Sequence, residues 1–151
     1  MHNDAIVKSI NGLIETSKDG QHGFRTCSER AESQQIKEQL VARAKDCEWA
    51  TAELQRLVIH YGGDAETEGS ATGSMHRMWI TLKGAVGGKS DLMVLEEAER
   101  GEDRALARYR EVLLTDELPA DVRAVVDSQL QSVKQHHDQI RQMRDLARAA
   151  G

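Results

Sequence analysis

The sequence contains a single proline and only five aromatic residues among its 151 positions. A β-sandwich or β-barrel uses more aromatic and β-branched residues and more turn punctuation, so these folds are not expected. Long apolar runs are also missing, and no stretch approaches the roughly 20 apolar residues of a membrane-spanning helix. Hydrophobic residues nevertheless make up 39% of the chain, too many for a disordered polymer. The composition predicts one all-α globular domain covering residues 1–151.

The sequence also lacks an excess of positive charge. It has 20 Lys and Arg against 25 Asp and Glu, for a formal net charge of −5. Nonspecific binding to nucleic acid needs clustered basic residues, so nucleic acid is not expected as a partner. The first 15 residues lack the basic start and apolar core of a secretory signal. We therefore expect a cytoplasmic protein without a membrane partner, while homo-oligomer formation stays open.

Only two cysteines occur, Cys27 and Cys47, and their spacing matches no metal-binding or redox motif. Both fall on apolar helical stripes, which predicts two small buried thiols. A reducing compartment also disfavours a disulfide between them.

Four long segments carry hydrophobic residues every three or four positions, the spacing of helices with one buried face. These segments cover about residues 4–31, 36–61, 90–114 and 119–149. Gly62-Gly63 is suited to ending the second helix, and Pro119 to the first turn of the fourth.

The segment 62–89 between the second and third helices is rich in glycine. Seven of the twelve glycines lie there, which is typical of a linker. Apolar residues within it still repeat at helical spacing and predict a short helix over residues 74–86. Two short-turn hairpins joined by this long crossover predict an up-down-down-up four-helix bundle.

Polar residues on the inward stripes of the third and fourth helices are the main functional signal. Glu102 lies near the centre of one stripe, Glu99 lies one turn away, and His137 lies at a similar level on the fourth helix. An unpaired buried charge costs several kcal/mol, so this group must be paired, hydrated or metal-bound. One interpretation is a Glu99–His137 hydrogen bond with water, assisted by Lys134 or Arg108.

Two other interpretations of this polar group stay open. Glu99, Glu102 and His137 are suitable ligands for one iron, manganese or zinc ion. The same groups could also serve general acid–base catalysis, although no nucleophile or phosphate-binding loop accompanies them.

Three further features have mainly packing interpretations. Gly20 interrupts the first helix, and the close approach of Trp49 or of Trp79 in the crossover would explain it. His76-Arg77, together with Trp79, forms a second candidate site or a cap over an open part of the bundle. The basic strip of the fourth helix is expected on an exposed face; it consists of Arg141, Arg144 and Arg148.

Several motifs together resemble those of a known family. In chain order they are Asp19-Gly20, Gly23-Phe24, Glu29, Glu53-Leu54, Gly62-Gly63-Asp64, Gly69-Ser70, Gly73, His76-Arg77, Trp79, Lys83, Glu99-Arg100-Gly101-Glu102-Asp103, Leu118-Pro119 and His137-Asp138. This pattern resembles a bacterial group of uncharacterised four-helix-bundle proteins, a domain of unknown function placed in the ferritin-like superfamily. The resemblance covers about residues 4–145. It implies a ferritin-like fold and, through the superfamily, an association with stress, but no activity.

Ferritin-like di-iron proteins bind metal through a Glu-x-x-His motif on each of two helices and a Glu on each of the other two. Here Arg56 stands three residues after Glu53, and Lys134 stands three residues before His137. A full di-iron centre is therefore not expected. We expect a non-enzymatic bundle with a polar core cluster. The alternatives are a metal-binding protein or metalloenzyme, and a helical module for self-association or protein interaction.

Overall fold

The computed structural model describes residues 2–69 and 90–150. Four long helices make up most of this part of the chain: α1 (Asn3–Arg30), α2 (Gln34–His60), α3 (Ser90–Leu113) and α4 (Ala120–Ala150). The four predicted helices are confirmed, with each boundary within two residues. The short helix predicted over 74–86, with His76, Arg77 and Trp79, lies outside the described residues. None of the described helices is long and apolar enough to cross a membrane.

Polar contacts define where the first hairpin turns. The Ser33 side chain accepts a hydrogen bond from the backbone N–H of Ile36 and so caps α2. Asp91 of α3 accepts hydrogen bonds from the backbone N–H groups of Glu32 and Ser33, which ties this turn to the start of α3. At the other end of α2, Gly62 has a φ of 79°, the left-handed conformation with which glycine ends helices.

Contacts between distant residues establish the order of the helices. Ser17, midway along α1, lies close to Tyr109 near the end of α3. The turn after α1 contacts Asp91 at the start of α3. The two helices therefore run antiparallel. Tyr61, the residue after the last residue of α2, donates to Asp121 in the first turn of α4, so α2 and α4 are antiparallel as well. The predicted up-down-down-up order is confirmed. Because α1 and α4 each pack against both α2 and α3, these last two helices are diagonal to each other.

The apolar core consists of two clusters separated along the bundle axis. One contains Ile6, Ile10, Leu13, Ile14, Leu54, Val58, Ala105, Leu106, Tyr109, Leu118, Val122, Val126, Leu130 and Val133. The other contains Phe24, Cys27, Ala31, Leu40, Ala44, Cys47, Val94, Leu95, Ala98 and Ile140. Between them the buried positions are small or polar, and include Ser17, Gly20, Thr51, Gly101 and Glu102. This middle layer contains the candidate site.

The two cysteines are free and buried, as predicted. Burial raises the pKa of the Cys47 thiol to about 12 and also raises that of Cys27. A Cβ atom added at Gly20 would lie 2.9 Å from the Sγ atom of Cys47, so α1 needs glycine here to approach α2. The expectation that Trp49 fills this space is wrong, because the side chain of Trp49 is 76% exposed.

Candidate functional site

Glu99 and His137, two of the three predicted metal ligands, have separate partners. Glu99 forms an ion pair with Arg144 of α4. The Nε2 atom of His137 lies 2.7 Å from Oδ1 of Asp103, one turn further along α3. The predicted Glu99–His137 hydrogen bond is therefore wrong, because the partner of Glu99 lies two turns beyond His137 on α4. The expected exposure of Arg144 is also wrong: it is paired with Glu99, and its side chain is only 17% exposed.

Glu102, the third predicted ligand, is fully buried and paired with Arg43 of α2. The Nε atom of Arg43 donates to Oε2 of Glu102 at 2.7 Å, and Nη2 donates to Oε1 at 2.8 Å. Such a two-point contact is the strongest geometry available to an arginine–carboxylate pair. Because α2 and α3 are diagonal, this ion pair crosses the middle of the bundle.

The guanidinium group of Arg43 has two further contacts. Its central carbon lies 5.0 Å from the centroid of the Phe24 ring, and its Nη1 atom donates to Sγ of Cys47 at 3.2 Å. Burial acts to lower the pKa of Arg43, but Cys47 and Glu102 raise it by more, so the net shift is upward. Arg43 therefore stays charged, and its pair with Glu102 is neutral as a whole.

Arg43 was not among the residues selected from the sequence, although a signal for it is present. It lies three residues after Leu40 and four before Cys47, on the buried stripe of α2. A charged residue on such a stripe requires a buried partner of opposite charge. Glu102 is likewise a charged residue on a buried apolar stripe, that of α3. The two residues have opposite charges, so each is a suitable partner for the other.

The three predicted ligands do not converge on a metal site. Among the residues that the structure describes, no group of three His, Cys, Asp or Glu side chains could hold a metal ion. Glu99 and Glu102 are each engaged by an arginine, which a bound cation would have to displace. The donor set therefore does not fit one iron, manganese or zinc ion. Metal binding by Glu99, Glu102 and His137 stays a prediction without geometric support.

A network of hydrogen bonds connects side chains of all four helices. The Tyr109 hydroxyl donates to Oε1 of Gln129 at 2.6 Å and lies 3.4 Å from Oγ of Ser17. Gln129 in turn donates through Nε2 to Oε1 of Glu53 at 2.7 Å and to the carbonyl of Ala50 at 3.3 Å. Burial raises the pKa of Tyr109 to about 12, so this hydroxyl is neutral at physiological pH.

Arg43 and the Tyr109–Gln129 pair both line a cavity of about 270 Å³. All four helices contribute small residues to its wall: Ser17, Gly20, Ala50, Gly101, Ala105 and Ser132. Among the residues that the structure describes, the exposed ones in its lining are Trp49, Arg56 and Ser128, which belong to α2 and α4. The cavity therefore opens along the seam between these two helices, which are the least closely packed neighbours in the bundle.

Charged groups of both signs lie along this opening. Asp46 and Glu53 line it from α2, together with Arg56. Across the seam, Nε2 of His136 on α4 lies 2.6 Å from Oδ2 of Asp46. A molecule entering from solvent thus passes a mixed polar rim before it reaches the buried wall.

The fold and this site define an all-α four-helix bundle with a cavity in its middle layer, lined by both apolar and polar residues. Residues 5–115 match the sequence model of a family described as "Domain of unknown function (DUF2383)", and the chain belongs to this family. The resemblance to a domain of unknown function is confirmed in this respect. The match includes the walls that α1, α2 and α3 contribute to the cavity, while the α4 wall lies beyond it. A search of curated proteins found no match.

Proposed function

We propose that this protein is a non-enzymatic binding protein that holds a small organic molecule in the cavity between α2 and α4. The cavity itself carries the proposal, because it is buried among all four helices and open along one seam. An engineered protein cavity of about 150 Å³ holds a benzene molecule. By that comparison, a volume of about 270 Å³ suits a molecule of two fused rings.

The chemistry of the wall supports binding rather than catalysis. The Cys47 thiol and the Tyr109 hydroxyl both have pKa values raised to about 12, so both keep their protons near neutral pH. Arg43 and Glu102 are already paired with each other. These groups are suited to hydrogen bonding and shape recognition, while proton transfer and nucleophilic attack need groups that titrate closer to neutral pH.

The position of the cavity also favours an occupant. Because the cavity opens to solvent between α2 and α4, water can enter it when no ligand is bound. Displacement of poorly ordered water by an apolar group gains affinity. A ligand that covers the apolar part of the wall is therefore favoured over water.

Binding of indole, a neutral two-ring probe, tests the proposal directly. Backbone NMR spectra of the full chain should shift at Ser17, Cys47 and Ala105, which line the cavity on three helices. In an Ala50→Leu variant the leucine side chain would occupy part of the cavity, so indole affinity should fall at least tenfold. Ala107→Leu on the exposed face of α3 is the matched control and should leave the affinity unchanged.

Two results would contradict a binding role for the cavity. One is the absence of any indole-dependent shift at the lining residues. The other is an equal affinity in Ala50→Leu and Ala107→Leu, which would place the probe elsewhere on the surface. Ferritin-like ancestry, an association with stress, a cytoplasmic location and homo-oligomer formation stay predictions from the sequence.

A further inference from the structure

Arg43 has hydrogen-bonding capacity that its protein partners do not use. A guanidinium group carries five N–H donors. Nε and Nη2 each give one to Glu102, and Nη1 gives one to Cys47. One hydrogen on Nη1 and one on Nη2 therefore have no partner among the residues that the structure describes. Because Arg43 is only 5% exposed and lines the cavity, the cavity is where these donors can be satisfied.

The charge around Arg43 indicates which acceptor fits. Glu102 already neutralises the guanidinium group, so a ligand carboxylate or phosphate would bring an uncompensated negative charge into the buried layer. Asp46 and Glu53 at the opening add negative charge of their own. A cationic group such as an ammonium has no lone pair to accept the N–H donors of Arg43. A neutral acceptor, such as a carbonyl oxygen, avoids both penalties.

The remainder of the wall is suited to an apolar body. Phe24, Cys47, Ala105 and Val133 present apolar or weakly polar surface to the cavity. We infer that the ligand is a neutral carbonyl compound of about two rings, whose oxygen accepts hydrogen bonds from Arg43 while its rings pack against this surface. This inference rests on the proposed function and assigns the ligand class.

Three probes of similar shape separate the possible ligand classes: indane, 1-indanone and indane-1-carboxylate. Calorimetric titration of the full chain should give an affinity for 1-indanone at least tenfold higher than for either of the other two. Equal binding of indane and 1-indanone would overturn the ligand class and leave the proposed binding function intact. Tightest binding of the carboxylate would also overturn the class, because it would indicate an anion site. If none of the three probes binds, both proposals fail.

Two measurements assign the preference to Arg43 rather than to another donor. In the unaltered protein, the side-chain ¹⁵N–¹H signals of Arg43 should shift with 1-indanone and not with indane. In the Arg43→Met/Glu102→Leu double variant, indane should still bind while the tenfold preference for 1-indanone disappears. The matched double variant Arg144→Met/Glu99→Leu removes an arginine–glutamate pair that does not line the cavity, and it should retain the preference. Unshifted Arg43 signals, or a preference that persists in Arg43→Met/Glu102→Leu, would overturn the assignment.

Discussion

Removal of Arg43 alone should destabilise the bundle far more than removal of Arg43 and Glu102 together. In Arg43→Met, the carboxylate of Glu102 would lose both of its strong hydrogen bonds while its side chain stays at 0% exposure. Breaking a buried ion pair in this way costs about 3–5 kcal/mol, since the remaining charge is neither paired nor hydrated. That is at least about a fifth of the stability of a typical domain, which is about 5–15 kcal/mol.

The double variant Arg43→Met/Glu102→Leu should behave differently. Its two apolar side chains would extend the flanking clusters of the core through the middle layer. Replacement of a buried ion pair by apolar residues of similar volume is often neutral or stabilising. The double variant should therefore unfold within about 1 kcal/mol of the unaltered protein, and a double-mutant cycle should give a coupling of about 3 kcal/mol or more.

Urea unfolding followed by circular dichroism at pH 7 measures all four corners of this cycle. Arg148→Met is the matched control. Its ion pair with Glu96 lies at the surface, so this variant should lose under about 1 kcal/mol.

Two results would refute this reasoning. One is a loss below about 1 kcal/mol for Arg43→Met, which would mean that Glu102 finds water or another partner. The other is a double variant as unstable as the sum of the two single variants. In that case the two side chains would contribute through separate packing rather than through their ion pair.

Two further predictions concern individual side chains. Asp103→Asn should shift the ring NMR signals of His137 at pH 6, while Glu99→Gln should leave them in place; the reverse pattern would contradict the observed pairs. Burial raises the pKa of Tyr109 to about 12, so its contribution to stability is full below pH 10 and is lost as the pH rises to 12. That contribution is about 2–3 kcal/mol. In Tyr109→Phe, which lacks this hydroxyl, the urea midpoint should fall less steeply between about pH 10 and pH 12. An equal slope in the variant and in the unaltered protein would contradict this prediction.

The helices and their order could be predicted from the sequence because each depends on local information. The period of about 3.6 residues marks the buried face of each helix, and Gly62 and Pro119 lie next to their ends. Short turns require antiparallel neighbours, so two hairpins and one long crossover leave few possible topologies. Even the burial of Cys27 and Cys47 followed from their positions on apolar stripes.

The pairing of charged side chains could not be predicted in the same way. A count outward from the centre of the turn between α3 and α4 places Glu99 level with His137. In the structure α4 is shifted by more than one helical turn along α3 relative to that count. Asp103 therefore meets His137, and Glu99 meets Arg144. The Arg43–Glu102 pair joins two diagonal helices. Neither the length of a turn nor the helical period predicts which side chains of two such helices face each other.

Neither the ion pair nor the cavity is explained by the needs of folding. A buried arginine–glutamate pair contributes little net stability compared with apolar residues of the same volume. An unfilled cavity lowers stability, and a leucine at Ala50 or Ala105 would reduce this one. Both features lie in the same layer of the bundle, where Arg43 borders the cavity with two donors to spare. A single neutral ligand would fill the space and satisfy the donors at once, so one cause would account for both features.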